Sequence, residues 1–151
     1  MALKEKINDD IKAALLGGNR FRAEVLKSLK ASILNQEIAN NKRENGLDDS
    51  EIEQVISKEV KKRQESANIY EDAGRLEIAE KERSEAQVLI EYLPEQLSEN
   101  DLIIVINRII SELNVLEISQ IGQVIGAVKK ELGNSADGAI IARLAKEALN
   151  K

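Results

Sequence analysis

Leu102-Ile103-Ile104-Val105-Ile106 is the stretch on which the fold class turns. Five aliphatic residues in a row read equally well as a buried strand or as part of a helix, and periodicity inside so short a run does not separate the two. A strand needs partners, and even a single pair is marginal in water. No second strand-like run occurs in the chain. We therefore read 102–106 as part of a helix from about Glu99 to Leu113, and the whole protein as all-α. Composition agrees: proline occurs once, at Pro94, and aromatics make up 2% of the 151 residues. Helix-favouring Glu, Lys, Ala and Leu, with Ile, make up the bulk.

Working outward, Ser98-Glu99-Asn100-Asp101 has the form of a helix start. Just before it, Leu93-Pro94-Glu95-Gln96-Leu97 reads as a connector, because the residue before a proline is pushed out of helical geometry. Two more helices are expected after the central one, from Ser119 to Leu132 and from Ala136 to Asn150. Upstream, Leu3, Ile7, Ile11, Ala14 and Leu15 fall on one face of a helix that Gly17-Gly18 ends. Asn19 is placed to cap a second helix with Phe21, Val25, Leu29 and Ile33 on its stripe. Asp48-Asp49-Ser50-Glu51 opens a third, long helix, since acidic groups suit a helix N-terminus. Ile52, Val55, Ile56, Val60, Ala67 and Tyr70 mark its inner side. Gly74 breaks it, and a fourth helix follows from Leu76 to about Tyr92, with Leu76, Ala79, Ala86, Leu89 and Ile90 inward. The expected architecture is an antiparallel four-helix domain over 1–93, a linker at 94–98 and a small three-helix domain over 99–151.

The residues that are missing prune the chemistry. There is no cysteine, histidine, threonine or tryptophan. Ser-His-Asp and Cys-His nucleophile systems are excluded, and so is any usual structural zinc site. No metal ligand set and no cofactor motif is expected. The N-terminus carries charges in its first turn and lacks the apolar core of a secretory signal. No run approaches the ~20 apolar residues of a membrane span. A cytoplasmic protein without membrane association is expected. Net charge is −5, with 22 basic and 27 acidic residues. Dedicated nucleic-acid binders are usually basic, so no DNA partner is expected, although a local patch can still contact RNA phosphates. Neither half is charge-biased: residues 1–93 hold 16 basic and 19 acidic groups, and the remainder 6 and 8.

Four constellations merit weighing. Lys58, Lys61, Lys62 and Arg63 form the densest basic cluster, but only Lys58 and Lys62 share a face, so an ion-paired helix surface is expected. Arg63, Ser66, Gly74, Arg75, Glu82 and Glu85 offer carboxylates and cations without a group that titrates near pH 7, which favours helix-to-helix salt bridges over catalysis. Gly122 and Gly126 are four apart. Each costs up to ~1 kcal/mol of helix propensity relative to alanine, so a groove for a closely approaching helix is expected there. Gly133-Asn134-Ser135-Ala136-Asp137-Gly138 reads as a glycine C-cap followed by an N-cap. It also allows a phosphate site at a helix N-terminus, with Lys129, Lys130, Arg143 and Lys146 in the flanking helices.

The stretch from Lys58 to Leu97, with its K-x-R-x-E-S and E-Y-L-P-E-Q-L segments, resembles the YqeY-like proteins of the GatB/YqeY family. So does I-G-Q-V-I followed by G-N-S-A-D-G. The resemblance spans about residues 2–150. The part from about 99 to 150 is also similar to the tail domain of GatB, a subunit of the glutamine-dependent tRNA amidotransferase. This implies an all-helical two-part fold and an accessory role without a catalytic centre of its own. The implied partners are tRNA or a tRNA-amidating complex. Carbon–nitrogen ligation with glutamine as amide donor enters by that association alone. Carried over position by position, Gly122, Gly133, Ala136, Asp137 and Gly138 are structural, as are Arg63, Ser66, Gly74, Arg75, Tyr92 and Pro94. RNA contact falls to Lys129, Lys130, Arg143 and Lys146. The chain departs from its relatives at Lys27, where they usually have Arg, and at Ile125, where they often have Met. The other expectation is a helical protein-interaction module with no RNA contact, suggested by net acidity and by Ile103 and Ile104.

Overall fold

The computed structural model describes residues 2–150. Among these there are seven α-helices and no strand: α1 (Leu3–Leu16), α2 (Arg20–Ala39), α3 (Asp49–Asp72), α4 (Leu76–Ile90), α5 (Glu99–Leu113), α6 (Ile121–Leu132) and α7 (Gly138–Leu149). The chain divides into two compact units, residues 1–93 and 94–151.

In the first unit the helix ends follow local chemistry. Asn19 Oδ1 accepts the Arg22 N–H, which caps α2. Asp48 and Glu51 form a reciprocal capping box at the start of α3, satisfying donors that the helix itself leaves open. Gly74, at φ +78°, turns the chain from α3 into α4. Side chains then set the register between helices. Lys4 on α1 reaches Glu37 near the end of α2, the Leu3 N–H donates to Asp49, and Ser32 on α2 donates to Glu59 on α3. The core collects Ile7, Ile11, Leu26, Leu29, Ile33, Ile52, Ile56, Val60 and Leu89. Each such side chain contributes about 1.5–3 kcal/mol by leaving water.

Several expected core positions lie elsewhere. Leu15 is 51% exposed, Phe21 41% and Leu76 58%, while Tyr70 is half-buried. All lie close to a helix end, within a few residues of the turns at Gly17–Gly18 and Gly74.

In the second unit Leu102, Ile106 and Ile109 point inward from α5 and meet Val124 and Val128 of α6 and Ile141, Leu144 and Ala145 of α7. The ambiguous run is thus helical, with Ile103 and Ile104 turned outward. Asn114, at φ +54°, ends α5. The third helix begins at Gly138 rather than at Ala136, because Ala136 is extended (φ −146°, ψ 142°). Pro94 to Leu97 are bound into this unit: the Leu97 N–H donates to the Ser135 carbonyl, and Gln96 donates to the carbonyls of Pro94 and Asn134.

The groove expected at Gly122 and Gly126 is absent. A Cβ at either position would meet nothing within 4 Å. Both glycines lie on the exposed side of α6, and it is Val124 and Val128 that face the core.

Candidate functional site

Arg63 and Glu85 stand opposite each other on α3 and α4, with Nη1 2.9 Å from Oε2 and both side chains about 85% buried. This pair braces the two helices. The Arg63 Nε is buried without a hydrogen-bond partner. Phe21, Glu24, Val25, Ser28 and Lys81 join the pair around a shallow hollow of about 340 Å³. Its four charged residues are two of each sign. Ser66 is half-buried on α3. Arg75 lies away at the α3–α4 turn, where it borders a separate open hollow with Gly74, Leu76, Glu77 and Ile78. The residues entertained as one site are therefore spread over two places, and Glu82 lines neither. Among the described residues no group of three or more carboxylates could hold a metal.

The densest polar network was not foreseen. The buried Tyr92, just past α4, donates its hydroxyl to Asp10 of α1 and accepts a hydrogen bond from Arg22 of α2 at 3.1 Å. Arg22 also binds Glu91 at 2.8 Å. The Lys6 ammonium sits 5.4 Å from the centre of the Tyr92 ring, a cation–π contact. Burial pushes the Tyr92 phenol above its usual range, and the hydrogen bond to Asp10 adds to this. The phenol stays a neutral donor that ties three helices together. Each partner looks ordinary in sequence, being 70 or 82 positions away from Tyr92.

A second unforeseen centre is Glu37, a carboxylate only 2% exposed. Its carboxylate accepts Lys4 Nζ at 2.8 and 3.1 Å and the buried Leu47 N–H at 3.0 Å. The hydrogen bond from Lys4 holds it below the usual carboxylate range, with the Leu47 N–H assisting against the cost of burial.

The cations assigned to RNA contact are engaged to different degrees. Lys129 Nζ donates to the carbonyls of Gly133 and Ala136 at 3.1 and 3.0 Å, closing the turn between α6 and α7. Arg143 meets Glu99 at 2.6 Å and Glu147 at 3.4 Å. The hydrogen bond with Glu99 raises its pKa further. Arg108 is likewise held between Glu112 and Glu131. Lys130 and Lys146 are exposed and meet no carboxylate within ion-pair distance among the described residues. Asp137 stands at the N-cap of α7 but its side chain accepts no capping bond, while Gly133, at φ +56°, makes the turn possible. The Asn134 and Ser135 carbonyls in this turn are taken by Gln96 and Leu97. In the first unit, Lys58, Lys61 and Lys62 are all solvent-exposed.

Among the described residues no helix is long and apolar enough to cross a membrane. The chain is 30% identical over 96 residues to an uncharacterized protein of Schizosaccharomyces pombe, covering 64% of this chain and 72% of that one. It is 24% identical over 136 residues to the altered inheritance of mitochondria protein 41, mitochondrial, of Clavispora lusitaniae, covering 88% and 75%. The Eremothecium gossypii protein of that name matches at 31% over 87 residues, 58% of this chain and 46% of that one. A family profile runs across both compact units, from residue 4 to residue 149, and the chain belongs to the family of Yqey-like proteins.

Proposed function

We propose that this chain is a non-catalytic accessory protein that works by docking, in the setting of tRNA-dependent amide transfer to which its tail-domain resemblance points. The observation that carries the reading is the Arg63–Glu85 brace. The six residues that most resembled an active site are split between two places, and Arg63 and Glu85 among them are spent on bridging α3 and α4. The proposed compartment is the cytoplasm, whereas two of the relatives are named as mitochondrial. A glutaminase and ATP-dependent amide-transfer assay on the pure chain should read zero. Co-elution with a purified tRNA amidotransferase in size-exclusion chromatography should be positive. Turnover that survives purification, or no co-elution at micromolar concentration, would refute the proposal.

Direct tRNA contact is a second reading, favoured by the exposed and unpaired Lys130 and Lys146 on α6 and α7. Two free lysines make a small footprint, since affinity for a polyanion grows with each phosphate neutralised. An electrophoretic shift with bulk tRNA, weakened by Lys130→Glu with Lys146→Glu, is the expected result. No shift below ~100 μM at low salt would remove RNA as a direct partner, because nonspecific binding alone usually reaches that level.

A further inference from the structure

The far half of the α3–α4 hairpin is built inside out. From Lys61 to Lys81 the buried residues are Ala67 and Ala79, and both are fully buried. They let the two helices approach closely. The large apolar side chains of the same segment point to solvent: Ile69 is 68% exposed, Leu76 58% and Ile78 37%. Leu76 and Ile78 are two residues apart on α4, so they flank Ala79 on different sides, since successive helical residues turn by about 100°. Ile69 lies on the outer side of α3. The tip is thus apolar on several sides. A flat partner would cover only one of them, whereas an enclosing socket covers all.

The hairpin is held ready for such a role. Arg63 and Glu85 brace its base, and Arg83 reaches Glu71 and Asn68 further out. Preorganisation of this kind lowers the entropy lost on binding.

Charge indicates what the socket looks like. The acidity belongs to the tip alone: between the flanking cations Lys61, Lys62 and Arg63 on one side and Lys81 and Arg83 on the other, the stretch from Gln64 to Glu80 holds five carboxylates, Glu65, Glu71, Asp72, Glu77 and Glu80, against the single cation Arg75, a net of −4, with Glu71 also paired to Arg83. All five carboxylates are exposed. Such a tip repels phosphates and attracts lysine and arginine. A second copy of the chain is a poor match, because it is itself acidic, with a net charge of −5. We propose that the distal α3–α4 hairpin is a docking arm whose apolar tip seats in an apolar socket ringed by lysine or arginine on a protein partner. The proposal rests on the docking reading above and names the surface that performs it.

The test uses the full-length chain in cells of its source organism, with a benzophenone amino acid replacing Leu76 in one variant and the exposed Ile104 in another. Irradiation at position 76 should link the arm to one protein, through a peptide in which basic residues flank apolar ones. Asp72→Lys with Glu80→Lys should lower that yield about tenfold, the scale of ~1.4 kcal/mol. Both positions are exposed, and lysine near the end of α3 suits the helix dipole, so the thermal midpoint should hold. Cross-links at 76 to RNA or to a second copy, or a yield indifferent to the charge reversal, would overturn the proposal. Cross-linking at 104 with silence at 76 would discard the arm while keeping a docking role, and silence at both would discard both.

Discussion

Replacing Glu37 tests the reasoning about buried charge most directly. In Glu37→Ala the Leu47 N–H loses its acceptor in a buried setting, which costs about 1–3 kcal/mol. The Lys4 ammonium is freed, but its side chain is 42% exposed and turns to water, so losing the ion pair itself adds only ~0.5–1 kcal/mol. The missing side-chain atoms add a packing loss on the order of 1 kcal/mol. A drop of about 2–4 kcal/mol is expected. Glu37→Gln keeps an acceptor for Leu47 and exchanges charge-assisted bonds for neutral ones, at about 1 kcal/mol. Urea unfolding followed by circular dichroism at pH 7 measures both, with an unchanged slope certifying that stability alone has moved. The folded carboxyl ionises more readily than the unfolded one. Its contribution is therefore complete above the unfolded value, about pH 4.3, and disappears as pH falls through the lower folded value. The gap between the natural chain and Glu37→Gln should narrow in acid. An alanine variant within about 0.5 kcal/mol of the natural chain, or a gap that widens in acid, would refute the account.

Other substitutions separate the remaining contributions. Gly122→Ala and Gly126→Ala should each raise stability by up to ~1 kcal/mol, since alanine is the better helix former and the added methyl meets nothing; a loss in the melting experiment would reinstate a close helix approach. Gly133→Ala should cost about 1–3 kcal/mol by the same measurement, because φ +56° with ψ −129° suits glycine alone. Tyr92→Phe should cost about 1–2 kcal/mol in urea titration, as Asp10 and Arg22 both lose a partner. Lys129→Ala should cost roughly 1 kcal/mol and speed amide exchange around residues 133–136; unchanged exchange would show that its two carbonyl contacts do not hold the turn.

Features set by neighbours along the chain were legible in the sequence. Asn19, Asp48 with Glu51, Gly74 and Ser98 start or stop helices by local hydrogen bonding and backbone preference, and they do so in the structure. The helical reading of 102–106, a run that could pass for a strand, rests on the lack of a second strand-like run to pair with it, and the run is helical, with Leu102, Ile106 and Ile109 inward. What escaped depends on distant partners. Glu37 drew no notice, because nothing in its own helix reveals that the Leu47 N–H will reach back to it. The Tyr92 network joins residues from opposite ends of the first unit. Phe21 and Leu76 fit a periodic stripe, but a stripe does not say which of its members a neighbouring helix covers. Gly122 and Gly126 had the spacing of a packing groove, and only the position of Val124 and Val128 shows that the glycines face outward.

The hydrogen bonds of Gln96 and Leu97 to the 134–135 turn bear on how the protein should be dissected. A recombinant C-terminal fragment that starts at Ser98 would lack the Gln96 side-chain clasp, the Leu97 backbone clasp and the Leu97 side chain that packs on its core. Starting it at Pro94 keeps them, and ending its companion at Leu93 leaves Tyr92 with Asp10 and Arg22. The scissors belong between those two residues.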